Sequence, residues 1–429
     1  MILILTLGLI ILLLIGLPVA LALGISALAA TLVGGSIFQF SVLSQKMQFG
    51  LQNFILLAIP LFILAAKLMN TAGITEKIFK FADTLVGFLP GGLAHANVVA
   101  SLIFAGMSGA AVVDAAGLGQ IELDAMTKGG YSRKFSVAVT AASSTIGPIF
   151  PPSLPMVVFS FVSGVSVGRL FLGGVIPGVL MTVILMFMVA FYAKKYNLPR
   201  QPFPTIAIAF RSFLDALLPL MTPVILLGGI WFGFFTPTEA AGVAASYALI
   251  IGVFVVRELS WSDIVRAFIE TARETAMIGF VVAASAMYGW VLMRSGITIR
   301  IAEFLVTIST NPLVILIIIN LFLLVVGCFL DSTVAILILG PLLMPVIEKV
   351  GIDPVHFGVV MVLNLMIGLL TPPFGIVLFV MAQVSGLKFE DVVKTTLPFL
   401  IPLGIVLALI IFFPSLVTVL PDMLMGLRR

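Results

Sequence analysis

The chain has 429 residues, of which 61% are apolar and 9% charged, with a formal net charge of +4. An ordinary globular chain carries about 45–50% apolar and about 25% charged residues, so water is not the main solvent of this one. Its one cysteine, Cys328, excludes an internal disulfide, and that thiol with two histidines is too few for a structural zinc site.

Stretches such as 2–17, 170–191 and 313–326 run almost free of charge, and several approach the ~20 residues that cross the hydrocarbon core as a helix. Barrel strands would alternate apolar and polar positions over about ten residues, and that pattern is absent. The predicted class is an all-α polytopic membrane protein. Residues 1–17 lack a basic leader and an A-x-A cleavage site, so they read as a retained span rather than a signal peptide.

One arrangement then occurs twice. Ala72-Gly73-Ile74-Thr75-Glu76-Lys77-Ile78 is echoed at an offset of 223 by Ser295-Gly296-Ile297-Thr298-Ile299-Arg300-Ile301. Ile146-Gly147-x-x-x-Pro151-Pro152 matches Ile367-Gly368-x-x-x-Pro372-Pro373 at 221, as Gly106 and Gly119 match Gly327 and Gly340. The halves are 1–212, ending in a linker at 194–212, and 213–429. Each is expected to hold two spans, a short polar segment, a third span, an amphipathic helix, a helical hairpin and a broken helix. The amphipathic pair is 73–88 and 298–309. In the first, Ile74, Ile78, Phe81 and Leu85 lie opposite Glu76, Lys77, Lys80 and Asp83, which suits a helix lying in the interface.

The hairpins are predicted at 93–127, turning at Gly106-Met107-Ser108-Gly109, and 312–349, turning at residues 327–332. Limbs of about 12 to 17 residues are short for a crossing at 1.5 Å per residue, so both read as re-entrant. The broken helices are predicted at 133–166, interrupted at 147–155, and 354–385, interrupted at 368–375. Adjacent prolines remove two amide donors and bar the preceding residue from helix. Irregular backbone at membrane depth survives only inside protein or beside a polar cavity, and paired interruptions in two halves point to a transporter binding site.

Counting spans places fifteen of the 22 Lys and Arg on one side, including Lys67, Lys134, Arg266, Lys388 and Lys394. The other seven are Lys46, Arg169, Arg294, Arg300, Lys349, Arg428 and Arg429. The richer side is then cytoplasmic. The halves become inverted repeats, with about ten full spans and both termini outside.

Gly106-x-Ser108-Gly109-Ala110, the run from Ser143 to Ser153, Thr236-Pro237-Thr238-Glu239-Ala240 and Phe329-Leu330-Asp331 together resemble the large membrane subunit of the TRAP transporters, the tripartite ATP-independent periplasmic family. The resemblance covers essentially the whole chain. It implies an elevator-type secondary transporter of a bacterial inner membrane, driven by a sodium gradient and importing sialic acids, dicarboxylates or similar organic acids. It implies two partners, a soluble periplasmic binding protein and a small membrane subunit of about four helices, here expected as a separate chain. No cofactor other than the coupling Na+ is expected, and no nucleic acid.

A hairpin tip facing an unwound helix offers sodium freed carbonyls and nearby hydroxyls. The candidate ligands in the first half are Gly106, Ser108, Gly109, Ser143, Ser144, Thr145, Gly147 and Ser153. In the second they are Gly327, Asp331, Ser332, Thr333, Asn364, Gly368 and Thr371. Pro151, Pro152, Pro372 and Pro373 mark the hinges. The competing reading is that such small residues only let helices approach closely. An organic acid would lie between half-helix N-termini, whose dipoles carry about half a positive charge each. Asp331 reads equally as a ligand or as a helix cap, Asp114 as a dipole partner, His95 and His356 as interfacial, and Glu239 as part of a capping box. A stand-alone carboxylate transporter or cation/proton exchanger would share this architecture. An intramembrane enzyme would need a Ser–His pair, paired catalytic aspartates or a His-Glu-x-x-His motif, and none stands here.

Overall fold

The computed structural model describes residues 2–34 and 39–426; Met1, Arg428 and Arg429 of the readings above lie outside them. Every regular element among the described residues is helical. In hydrocarbon an unpaired backbone N–H or C=O has no water to turn to, and a helix satisfies its own.

The chain opens with α1 (Ile2–Leu14), α2 (Val19–Val33), α3 (Gln39–Leu51), α4 (Ala58–Thr71) and α5 (Ile74–Val86). The first two are 13 and 15 residues long, shorter than the single crossing expected of 1–17. Left-handed Gly16 and then Pro18 end the run. Asn53 accepts from the Ile55 amide at 2.9 Å and starts a 3₁₀ turn that separates α3 from α4. The second half has no such breaker. After α12 (Ile206–Trp231) and α13 (Pro237–Ile250), the expected polar segment and third span merge into one helix of 34 residues, α14 (Trp261–Arg294), before α15 (Ile297–Ile308). The capping box holds: the Thr236 amide donates to Glu239 Oε2 at 2.7 Å and the Glu239 amide to Thr236 Oγ1 at 3.3 Å. Lys67 on α4 reaches Glu270 at 2.9 Å and Glu274 at 2.8 Å on α14, which joins the two halves.

Within this frame lie the hairpins and broken helices. The first hairpin is α6 (Gly92–Ser108), α7 (Ala111–Ala116) and α8 (Leu118–Lys128), and the first broken helix is α9 (Arg133–Ser143) with α10 (Leu154–Ser163). After α11 (Val167–Tyr196) and the second frame set come the second hairpin, α16 (Pro312–Gly327) and α17 (Ser332–Val350), and the second broken helix, α18 (Pro354–Gly368) and α19 (Ile376–Ser385). The chain ends in α20 (Phe389–Thr396), α21 (Leu400–Phe412) and α22 (Ser415–Met425). This is the most enclosed part of the molecule: all of α18 from Val355 to Gly368 is buried. Pairing is reciprocal. Each outbound limb packs on its own broken helix, α6 on α9 and α16 on α18, while each return limb packs on the other half's second piece, α7 on α19 and α17 on α10.

Seven helical segments among the described residues are long and apolar enough to cross a membrane. Six are expected spans. The seventh, α17, is a hairpin limb of 19 residues, longer than the sequence suggested. The remaining expected crossings are the two broken helices and the short α1 and α2. Polar contacts join residues assigned to one side: Arg133 Nε donates to the Ser385 carbonyl at 2.7 Å, and Lys134 meets Asp391 at 2.8 Å. On the other side Arg169 meets Asp422 at 2.5 Å.

Two glycines let the hairpins approach the broken helices closely. Gly109 turns the first tip with φ +61°, and a Cβ there would run into the Pro152 carbonyl. A Cβ on Gly368 would stand 2.6 Å from the Gly327 Cα. Gly109→Ala and Gly368→Ala are therefore expected to lower the melting temperature in detergent, the left-handed backbone alone costing about 1–2 kcal/mol at Gly109. Gly289→Ala and Gly404→Ala, where a Cβ meets nothing within 4 Å, serve as controls and should melt as the parent does.

Candidate functional site

The prolines interrupt both helices where the sequence places the breaks. α9 tightens into a 3₁₀ turn at Ser144–Ile146 and unwinds, restarting at Leu154. The hydroxyls of Ser144 and Thr145 donate to the carbonyls three residues back, Ala141 at 2.9 Å and Ala142 at 2.6 Å, which leaves their lone pairs free to accept or to ligate. Ser153 donates to the Pro148 carbonyl and accepts from the Met156 amide at 3.2 Å, capping α10. The hairpin tip is seated on this interruption. The Leu154 amide donates to the Gly109 carbonyl at 3.2 Å, and a Cβ on Gly147 would stand 3.7 Å from the Ala110 nitrogen. Ser108 ends α6 there, buried, its hydroxyl without a partner. Gly106 points away from the break toward Pro223 of α12.

The second site repeats the plan with other residues. α18 ends at Gly368, the Leu370 and Thr371 amides return to Ile367 and Gly368, and Thr371 Oγ1 donates to the Ile367 carbonyl at 2.7 Å. The Gly327 end of α16 lies against Gly368, and the Phe329 and Phe374 rings meet at 5.7 Å across tip and break. Asp331 caps α17, accepting from the Thr333 amide at 2.9 Å, with Ser332 and Thr333 opening that helix. Both proline pairs are cis.

Two predicted ligands also bond across to the hairpins. Ser143 donates to Asn97 Oδ1 on α6 at 2.7 Å, and Asn364 donates through Nδ2 to Asn320 Oδ1 on α16 at 2.7 Å, its own Oδ1 without a partner. The others, Gly106 apart, lie at the two tips and breaks, whose segments carry carbonyl and hydroxyl oxygens and no Lys or Arg. Among the described residues no group of three or more His, Cys, Asp or Glu gathers. Oxygen donors alone suit a hard cation.

Sequence reasoning missed Glu122. It is fully buried on α8 with both carboxyl oxygens unpartnered, near Asp114, which is buried with one oxygen unpartnered. Asp114 stands in the first turn of α7 and is buried there. Glu122 stands on the buried stripe with Leu118, Leu123 and Met126, and an acid on the apolar stripe of a helical limb was the available signal. His95 and His356 are also buried against neighbouring helices; His356 Nε2 lies 2.7 Å from the Ile410 carbonyl.

The fold matches a solved transporter, YdaH of Alcanivorax borkumensis, with a TM-score of 0.64 over 88% of each chain at 13% identity. In sequence the chain is 46% identical to the sialic acid TRAP transporter large permease protein SiaM of Vibrio cholerae, over 89% of this chain and 90% of that one. It is 41% identical to the sialic acid TRAP transporter permease protein SiaT of Haemophilus influenzae, over 94% of this chain and 66% of that one. Residues 6–416 match the model of the tripartite ATP-independent periplasmic transporter DctM component. With tips, breaks and full-length relatives in agreement, the chain belongs to the DctM family, the large permease components of the TRAP transporters.

Proposed function

We propose that this chain is the permease through which a sodium gradient drives uptake of a small organic acid of the sialic acid or C4-dicarboxylate type. A periplasmic binding protein delivers the acid, and a separate small membrane subunit completes the complex in a bacterial inner membrane. The observation that supports this best is the pair of hairpin tips seated on proline-interrupted helices. Each pair gathers carbonyl and hydroxyl oxygens where a bilayer leaves no other reason for them. Sodium would bind between Ser108, the first tip and residues 144–153, and between Asp331, Thr371 and the second tip. The acid would be held by helix N-termini at α10 and α19, with the bound cations nearby. A site without a guanidinium discriminates weakly between acids, which suits a system whose choice of cargo is made by its binding protein.

The two halves are read as inverted repeats, 1–212 and 213–429. Hairpins, broken helices and α11 form the moving unit of an elevator, while α1–α5 and α12–α15 hold still. The reciprocal packing of return limbs across the halves favours one body over two, because neither hairpin can shift without carrying the other's broken helix. A stand-alone carboxylate transporter or exchanger of the same build would dispense with the binding protein.

Proteoliposomes holding this chain and its small subunit should take up labelled acid only with the binding protein outside and an inward sodium gradient. Uptake that needs neither would end the tripartite reading. Within that assay, Ser144→Ala and Asp331→Ala are expected to raise the sodium concentration for half-maximal uptake severalfold while the proteins still reach the membrane. Asp331→Asn keeps the cap on α17 and separates the carboxylate's part from the cap's. Unchanged sodium curves in both alanine variants would remove the assignment of these sites.

A further inference from the structure

The first tip meets its break through the Leu154–Gly109 bond and the second through the Gly327–Gly368 approach and the Phe329–Phe374 rings, and sodium ligands drawn from two elements must be held in register to within a fraction of an ångström. Less than two turns from each break, a buried polar bond joins the same two elements. In the first half Asn97 of α6 donates to Thr140 Oγ1 at 2.7 Å and accepts from Ser143 at 2.7 Å, both on α9. In the second, Asn364 of α18 donates to the Asn320 carbonyl at 2.9 Å and to its Oδ1 at 2.7 Å, while Asn320 donates to the Leu316 carbonyl at 2.8 Å. Asn97, Ser143 and Asn364 have no exposed surface, and Thr140 and Asn320 have 1% and 4%.

The two clamps are built from different residues in the same place. Ser143 and Asn364 each stand four residues before the glycine that opens the break, Gly147 and Gly368. Their partners stand nine and seven residues before the tip glycines Gly106 and Gly327. The hairpin asparagines thus differ in depth by two positions, and the side chains bridge that difference: Asn97 spans two hydroxyls one turn apart, and Asn320 uses its own carbonyl as well. Helix packing does not demand either clamp, since α16 and α18 are otherwise apolar along their facing surfaces, with Leu316, Ile319, Leu323, Met361 and Leu365 buried. A directional bond fixes rotation and sliding of one helix on the other in a way that interchangeable apolar contacts do not.

We infer that Asn97 with Ser143, and Asn320 with Asn364, are positioning pairs that lock each hairpin tip to its break and so set sodium affinity without touching the ion. The sodium part of this rests on the function proposed above; the clamp itself does not.

The test is the double variant Asn320→Leu/Asn364→Leu, in which both partners become apolar and nearly isosteric, so no buried amide is left unpaired. Asn320→Leu alone, which strands Asn364, should melt lower than the parent, and the double variant should recover most of that loss. Two readouts then separate positioning from support. Amide hydrogen exchange at residues 365–371 of the purified chain should quicken in the double variant. In proteoliposomes with the partner subunits, the sodium concentration for half-maximal uptake should rise severalfold while the maximal rate at saturating sodium is kept. Exchange as slow as in the parent overturns the clamp. Faster exchange with an unmoved sodium curve overturns its role in sodium affinity. Sodium-independent uptake by the parent itself would refute the proposed function, and the exchange rates would still decide the clamp.

Discussion

The structure depends on a shortage of hydrogen-bond partners. Pro151-Pro152 and Pro372-Pro373 take two donors each out of helices that lie where no water replaces them, and the carbonyls left behind need cover. The hairpins are that cover. Because a limb leaves its own terminal groups open where it stops, tip and break answer each other: the Leu154 amide donates to the Gly109 carbonyl, and Asp331 closes the first turn of α17. Neither element is stable in lipid alone, which is why they occur together and why each half needs both.

From that pairing follows the division of the molecule. Ion pairs are few among the described residues and lie toward the helix ends, Lys67 with Glu270 and Glu274, Lys134 with Asp391, Arg169 with Asp422. The core between them is held by close packing and by hydroxyl or amide bonds. Lys67 joins frame to frame, α4 to α14, whereas Arg133 joins broken helix to broken helix through the Ser385 carbonyl. A cleft of about 500 Å³, lined by Gln52 and Trp290 on one wall and Phe161 and Pro341 on the other, lies between α3 and α14 and the facing α10 and α17, and α14 and α17 also pack directly.

What was legible in the sequence was whatever backbone chemistry forces. Proline pairs, tip glycines and the amphipathic stretches at 73–88 and 298–309 act locally, and the elements fall within a residue or two of the expected bounds. The fusion of α14 was less visible, because it depends on the absence of a breaker like Asn53 rather than on any residue present. Burial was the hardest to read. Both histidines sit at helix starts, where hydropathy alone suggests the interface, yet the neighbouring helix covers them, as α21 covers His356 with the Ile410 carbonyl. Ser143 and Asn364 stood out in the sequence beside the breaks, but their partners Asn97 and Asn320 lie in limbs read only for length.

The repeat also supplies an internal control on charge. At the offset of 221 that aligns the breaks, the first half's Ser101, Asp114, Glu122 and Thr140 correspond to Phe322, Ala335, Leu343 and Met361. Ala335, Leu343 and Met361 are as buried as the residues they match. The architecture therefore closes with apolar side chains at these positions, and a buried carboxylate that lacks a cationic partner is a cost that packing does not require. Asp114 and Glu122 are kept against that cost on one side only, beside the first tip, while the second tip has the single carboxylate of Asp331 already spent on a cap. The two hairpins thus bury unlike polar groups at matched positions, so the sequence repeat does not make their surroundings equivalent.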